Sequence, residues 1–196
     1  EIELPEHLRT LIRPYQRAGV EFMLRLSTWA NGACLADEMG LGKTLQALCV
    51  LSARSHQGPA LVIAPTSVGH AWCTEAARFT PELRMVLYRG PERARLRQNL
   101  GPGQVLVTSY ELVQRDREAL AKIQFATLVL DEAHMVKNAT TERARAVAGL
   151  SADFRIGLTG TPLENHLGEL WSLMAQLNPG VLGSFNQFRA RFGVPI

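Results

Sequence analysis

Apolar residues in this chain fall into short continuous runs, separated by segments with helical spacing. The runs are Ala33–Ala36, Ala60–Ala64, Met85–Tyr88, Val105–Thr108, Thr127–Asp131 and Arg155–Thr159. They are too uniformly apolar for strands with one wet face, and so predict strands buried on both sides of a parallel sheet. Tyr15–Ser27 places Val20, Met23, Leu24 and Ser27 at helical spacing. Leu45–Ser52 continues from a glycine-containing loop, and Val68–Phe79, Pro91–Leu100, Tyr110–Ile123 and Thr141–Leu150 follow the same logic. Strands alternating with helices predict an α/β fold, a doubly wound and mostly parallel sheet with helices on both faces. Ligands of such sheets bind beyond the carboxyl ends of the strands. After Asn178 the turn signals Asn178-Pro179-Gly180 and Gly183-Ser184 precede a short segment carrying Phe185, Phe188 and Phe192.

Composition bounds the class. The 196 residues, 46% hydrophobic and 20% charged, suit one domain with a real core. No run of 18 apolar residues suggests a membrane span. A net charge of +3 and a pI of about 9.0 lean weakly toward a polyanionic partner. Cys34, Cys49 and Cys73 are odd in number and form no CxxC pair, which speaks against a zinc site or disulfide scaffold and for a reducing compartment. His7, His56 and His70 are expected at the surface, Trp29 and Trp72 in the packing, and Trp171, Leu173 and Met174 in the core. The chain opens on Glu1 without a signal-peptide pattern, and reads as a piece of a longer protein.

Three strand ends carry chemistry. Asp37-Glu38-Met39-Gly40-Leu41-Gly42-Lys43-Thr44 follows an apolar run and opens a helix, the context of a phosphate-binding loop. Gly40 and Gly42 let backbone N–H groups face phosphate oxygens, Lys43 can neutralise the β- and γ-phosphates, and Thr44 can ligate Mg²⁺. Asp37 stands where the general pattern has its first glycine. Asp131-Glu132-Ala133-His134 ends the run Thr127–Leu130; Asp131 suits the Mg²⁺ shell and Glu132 the polarisation of an attacking water. Leu158-Thr159-Gly160-Thr161-Pro162 offers small hydroxyl residues around a glycine, suited to relaying nucleotide state to a second site. Upstream, in Arg13-Pro14-Tyr15-Gln16, Gln16 has the donor and acceptor to read an adenine edge.

Together these residues resemble the first RecA-like lobe of the SNF2 family of superfamily 2 DNA translocases, from about Leu11 to Ile196. Arg13–Gln16 looks like the family's Q-type motif, and Leu35–Thr44 like motif I, where Asp at the position of Asp37 is usual. Ala64-Pro65-Thr66-Ser67 with Trp72 resembles motif Ia, and Thr108-Ser109-Tyr110-Glu111 motif Ib. Asp131–His134 with Lys137-Asn138 resembles motif II. Leu158–Asn165 with Glu169-Leu170-Trp171-Ser172-Leu173 and Asn178-Pro179-Gly180 is similar to motif III and its following helix, and Leu163-Glu164-Asn165 with the ending Pro195-Ile196 looks closest to bacterial members. Ala71 and Met135 depart from the residues many members carry, which bears on DNA contact or lobe coupling and not on the ATP site.

The resemblance implies ATP and Mg²⁺ as ligands, double-stranded DNA as partner, and translocation that remodels DNA-bound proteins. It places Arg13, Gln16, Asp37, Glu38, Met39, Gly40, Leu41, Gly42, Lys43, Thr44 and His134 around the nucleotide. Lys43, Asp131 and Glu132 become catalytic, Thr44 and Asp131 metal-binding, and Thr159, Gly160 and Thr161 coupling residues. Thr66, Ser67, Tyr110 and Lys137 become DNA contacts. Arg89, Arg93, Arg95 and Arg97 offer a second DNA surface but read better as a solvated basic face. A second RecA-like lobe is expected to complete the cleft, so residues 1–196 alone should turn over very slowly. The expected compartment is the bacterial cytoplasm with its nucleoid, or the nucleus of a eukaryote. The alternative is a strand-separating helicase with a DEAH-type box, against which Thr159-Gly160-Thr161 stands in place of Ser-Ala-Thr. A nucleotide-dependent module without turnover is opposed by intact Lys43, Asp131 and Glu132.

Overall fold

A computed structural model describes residues 4–160 and 167–192. The predicted strands form one six-stranded sheet: β1 (Gly32–Leu35), β2 (Ala60–Ile63), β3 (Arg84–Leu87), β4 (Gln104–Thr108), β5 (Gln124–Leu130) and β6 (Ser151–Leu158). Their order is β1-β6-β5-β2-β4-β3, and every pairing is parallel. Successive side chains along a strand point to opposite faces, and here both faces are covered. Leu61, Ile63, Leu106, Leu128 and Leu130 point into one apolar cluster, while Val62, Val105, Val107 and Val129 point into the other. That double burial is why the strands read as unbroken apolar runs.

The first face is covered by α1 (Glu6–Leu11), α2 (Pro14–Leu26), α3 (Lys43–Arg54) and α4 (Gly69–Phe79), through residues such as Leu8, Met23, Leu48 and Trp72. The second carries α6 (Tyr110–Arg115), α7 (Arg117–Leu120), α8 (Glu142–Ala148) and α9 (Leu167–Leu177), through Tyr110, Leu120, Val147 and Leu173. A short α5 (Arg93–Leu96) and α10 (Phe185–Phe192) complete the described α-helices. Two arginines are buried in this frame. Arg155 donates to the carbonyls of Val147, Leu150 and Gln176, tying β6 to the ends of α8 and α9. Arg54 donates to Thr127 Oγ1 and the Ala126 carbonyl and lies over the Phe154 ring.

The helices differ from expectation in places. Pro91–Leu100 is helical only over Arg93–Leu96, and Tyr110–Ile123 breaks at Asp116 (φ −103°, ψ 19°), whose carboxylate is held by Arg93 and Tyr88. The turn Glu6–Leu11 is additional, and buries Leu8 beside α2. Trp29 is 78% exposed and not packed, because α2 ends at Leu26 and the chain turns away from its buried face of Val20, Met23 and Leu24. Trp72 and Leu173 are buried as expected, whereas Trp171 and Met174 are only partly covered. Trp171 instead packs edge-on against Phe185 of α10, with ring centroids 5.3 Å apart.

Candidate nucleotide site

The strand order assembles the site. Leu35 of β1 pairs with Leu158 of β6, and Gly157 of β6 pairs with Leu130 of β5. The three chemistry-bearing segments therefore leave neighbouring strands at one carboxyl edge, as ligand sites in such sheets require. Segments 36–44, 159–160 and 131–134 come from places far apart in the chain, and only parallel pairing of β1, β6 and β5 brings them together.

The loop after β1 has left-handed backbone at Gly40 (φ +83°) and Gly42 (φ +74°), where a side chain is strained. Gly42 caps α3, so the first N–H groups of a twelve-residue helix face the loop. Lys43 Nζ donates to the carbonyls of Asp37 (2.7 Å) and Glu38 (2.9 Å), clasping the loop's far side. Asp37 Oδ2 accepts from Gln46 Nε2 at 2.9 Å. An acid at the position of Asp37 thus has its own work: it anchors the loop to α3.

Gln16 is 7% exposed and pinned at both ends of its amide. Its Oε1 accepts from the Arg13 N–H (2.9 Å), closing the start of α2, and its Nε2 donates to the Leu41 carbonyl (3.1 Å). Tyr15 Oη donates to the same carbonyl at 3.2 Å. The segment Arg13–Gln16 therefore braces the phosphate loop directly, in addition to any contact with a base. Thr44 lies half-buried in the first turn of α3, while Glu38, Met39 and Leu41 are exposed on the loop.

At the end of β5, Asp131 Oδ1 accepts from the Glu132 N–H at 3.0 Å, and Oδ2 accepts from Trp72 Nε1–H at 2.9 Å. Glu132 holds left-handed backbone (φ 50°, ψ 52°), a conformation costly for a residue with a Cβ and concentrated at functional sites. His134 Nδ1 lies 3.2 Å from Glu132 Oε2, without hydrogen-bond alignment. Burial, and then the nearby Asp131 charge, push the Glu75 carboxyl above its ordinary value. Thr159 is fully buried, with its N–H donating to the Leu35 carbonyl. A Cβ placed on Gly160 would lie 3.2 Å from Met39 Cγ and 3.9 Å from Lys43 Nζ, so the third segment runs against the phosphate loop. Thr161 lies outside the described residues.

The donor set fits a nucleotide-bound divalent cation. One carboxylate with free lone pairs and one hydroxyl at a helix start suit Mg²⁺, which keeps several waters and shares phosphate oxygens.

The expected DNA residues separate into different groups. Thr66 and Ser67 are exposed on a 3₁₀ turn (Thr66–Val68) after β2. Thr66 Oγ1 donates to Glu111 Oε2 at 3.4 Å, joining the segments after β2 and β4. Tyr110 is not at the surface: it is fully buried, packed in the second core, with its hydroxyl donating to the Asp131 carbonyl at 2.7 Å. Lys137 forms an ion pair with Glu169 of α9 at 3.2 Å, with which a phosphate would have to compete. Among the arginines, Arg93 takes both oxygens of Asp116 (2.6 and 2.9 Å), Arg97 donates to Tyr88 Oη (2.9 Å), and Tyr88 Oη donates to Asp116 (2.7 Å). Arg95 pairs with Glu92. That group is in part a structural network, while Arg89 stays exposed.

Sequence reasoning missed the roles of Trp72, Gln46 and Asn178. Trp72 and Asn178 carried a signal in the motif resemblance, but their hydrogen-bond partners lie 59 and 146 positions away.

Comparison with known proteins agrees with this geometry. A family model for the SNF2-related domain matches residues 15–196. YwqA of Bacillus subtilis is 40% identical over 98% of this chain and 22% of its own length. Human TATA-binding protein-associated factor 172 is 37% identical over 99% of this chain and 12% of its length, so this chain spans a small part of such relatives. The SWI2/SNF2 ATPase core of Sulfolobus solfataricus, solved in complex with dsDNA, superposes with a TM-score of 0.84 at 39% identity, covering 93% of this chain and 39% of that one. With a family model matched over residues 15–196 and a parallel six-stranded RecA-like sheet that superposes on the SWI2/SNF2 core, this chain belongs to the SNF2-related family.

Proposed function

We propose that this chain is the ATP-binding lobe of a double-stranded-DNA-dependent ATPase that translocates along the duplex and remodels proteins bound to it. The observation that carries the proposal is the convergence of Lys43, Gly160 and the Asp131–Glu132 pair on the carboxyl ends of β1, β6 and β5. The double-stranded DNA held by the Sulfolobus core supports the choice of partner. Among the described residues no helix is long and apolar enough to cross a membrane.

The residues divide the work. Backbone N–H groups around Gly40 and Gly42 and the start of α3 receive the phosphates, and Lys43 neutralises their charge. Thr44 and Asp131 would hold Mg²⁺, which would supply positive charge against that developing on the transferred phosphoryl group. Glu132 orients a water and accepts its proton, with His134 Nδ1 lying 3.2 Å from its carboxylate. Gly160 lies against the phosphate loop and Thr159 is bonded to the end of β1, and the two relay nucleotide state to a second site. A second RecA-like lobe of the same protein supplies the arginine that stabilises the transition state, an effect of roughly 10³–10⁵ in comparable enzymes. DNA phosphates meet the exposed Thr66 and Ser67, with Lys137 as a further candidate.

The test is ATP hydrolysis by the full-length protein with and without duplex DNA. The expected result is DNA-stimulated turnover that Lys43→Ala abolishes, displacement of a triplex-forming strand, and no separation of a plain duplex. Efficient strand separation would favour a DEAH-type helicase instead, and full turnover by residues 1–196 alone would overturn the two-lobe account.

A further inference from the structure

Every polar point of Asp131 is held. Its N–H donates to the Ile63 carbonyl (2.8 Å) and its Oδ1 accepts from Glu132 N–H (3.0 Å); the first bond is sheet register and the second a local turn. The other two come from distant aromatic side chains: Trp72 Nε1–H on Oδ2 (2.9 Å) and Tyr110 Oη–H on the carbonyl (2.7 Å). Both aromatics are almost wholly buried, at 1% and 0% exposure, and on opposite faces of the sheet.

Packing alone does not account for this pair. An indole buried only for its bulk needs some acceptor, and a strand-end carbonyl would serve. Trp72 instead reaches the one acid placed to hold the metal, and its bond is charge-assisted. An ionised carboxylate offers about four lone-pair positions. The Glu132 N–H and the indole N–H occupy one on each oxygen, which fixes the carboxylate plane and leaves one position open on each. Tyr110 adds a hold on the backbone of the same residue.

We propose that Trp72 is a positioning residue that presents the Asp131 carboxylate to Mg²⁺, with Tyr110 in the same role toward its backbone. This rests on the reading of the cleft as an ATP–Mg²⁺ site. Partners that orient metal ligands are worth about 10- to 100-fold in metal affinity.

The test is binding of a fluorescent ATP analogue to the full-length protein while Mg²⁺ is titrated, with a parallel titration in EDTA. Trp72→Phe is expected to raise the Mg²⁺ concentration for half-maximal enhancement of binding by about tenfold or more, and to leave metal-free binding unchanged. Tyr110→Phe is expected to move it in the same direction by less. Replacing Trp72 alone with its benzothienyl isostere separates bonding from packing, since the two-ring shape remains and the N–H is lost. The isostere should reproduce the Trp72→Phe shift while keeping a urea midpoint at least as high as that of Trp72→Phe, whose smaller ring also loses packing. Half-saturation within about twofold of wild type for the isostere would overturn the proposal. Wild-type protein that binds the analogue without any response to Mg²⁺ would overturn the reading of the site itself.

Discussion

Asn178 clasps Gly32 with both ends of its side-chain amide: the Gly32 N–H donates to Asn178 Oδ1 (2.8 Å), and Asn178 Nδ2 donates to the Gly32 carbonyl (2.7 Å). Gly32 opens β1, an edge strand whose outer groups would otherwise be unpaired. The amide acts as a one-residue strand partner, fastening the end of α9 to the strand that leads into the phosphate loop.

That clasp leaves no room. A Cβ on Gly32 would lie 2.5 Å from the Leu177 carbonyl oxygen and 2.6 Å from that of Arg155, both backbone atoms. Gly32→Ala should therefore destabilise by about 3 kcal/mol, the upper range for overpacking. Asn178→Ala should cost about 2 kcal/mol for two lost bonds. Urea unfolding of both variants checks the order.

Glu132 occupies backbone that suits glycine. Left-handed geometry costs a residue with a Cβ about 1–2 kcal/mol. Glu132→Gly should leave the unfolding free energy unchanged or raise it by up to about 1 kcal/mol, while turnover falls by at least about 100-fold with loss of the base. Unfolding and single-turnover hydrolysis, measured on the same variant, check whether stability is given up for function there.

Gly42 meets Gln16 closely: a Cβ on Gly42 would lie 2.4 Å from Gln16 Nε2, at a φ of +74°. Gly42→Ala should weaken ATP binding by about tenfold, corresponding to about 1.4 kcal/mol. Adding Gln16→Ala should recover part of that loss by removing the clash, although Gln16→Ala alone weakens binding through the freed Leu41 carbonyl. A double-mutant cycle on ATP affinity gives the sign of the coupling.

Acid should loosen the network around Asp116. Hydrogen bonding to Arg93, then to Tyr88, holds the Asp116 carboxyl below its ordinary value of 3.8. A depressed carboxyl contributes stability that is complete above its unfolded-state value and is lost as pH falls through the folded one. The stability difference between wild type and Asp116→Asn should be constant from neutral pH down to about 4, then shrink below it. Urea midpoints between pH 2 and 7 check this.

Much of the architecture was legible because local chemistry and global position coincide. Strands buried on both faces, such as Leu61–Ile63 and Leu128–Leu130, are continuous apolar runs wherever they sit in the sheet. The glycine loop was legible because Gly40 and Gly42 adopt backbone that few other residues tolerate. Less was readable where a side chain's partner is distant. Tyr110 looked like a surface residue beside exposed Thr66 and Ser67, yet the second core buries it. Pro91–Leu100 had enough helix formers for a longer helix, but the helix ends at Leu96 and Asn99 turns into left-handed backbone (φ 57°).

The sequence by itself determined the parallel α/β class, the glycine loop that opens α3 and the acids at the end of β5, since these follow from residue type and short-range spacing. Only the tertiary structure decided how the site is held. Trp72 on Asp131, Gln46 on Asp37 and Asn178 on Gly32 are hydrogen bonds between residues remote or differently placed in the chain. Their partners are chosen by strand order and by the direction each side chain takes from its helix, quantities that no local pattern encodes.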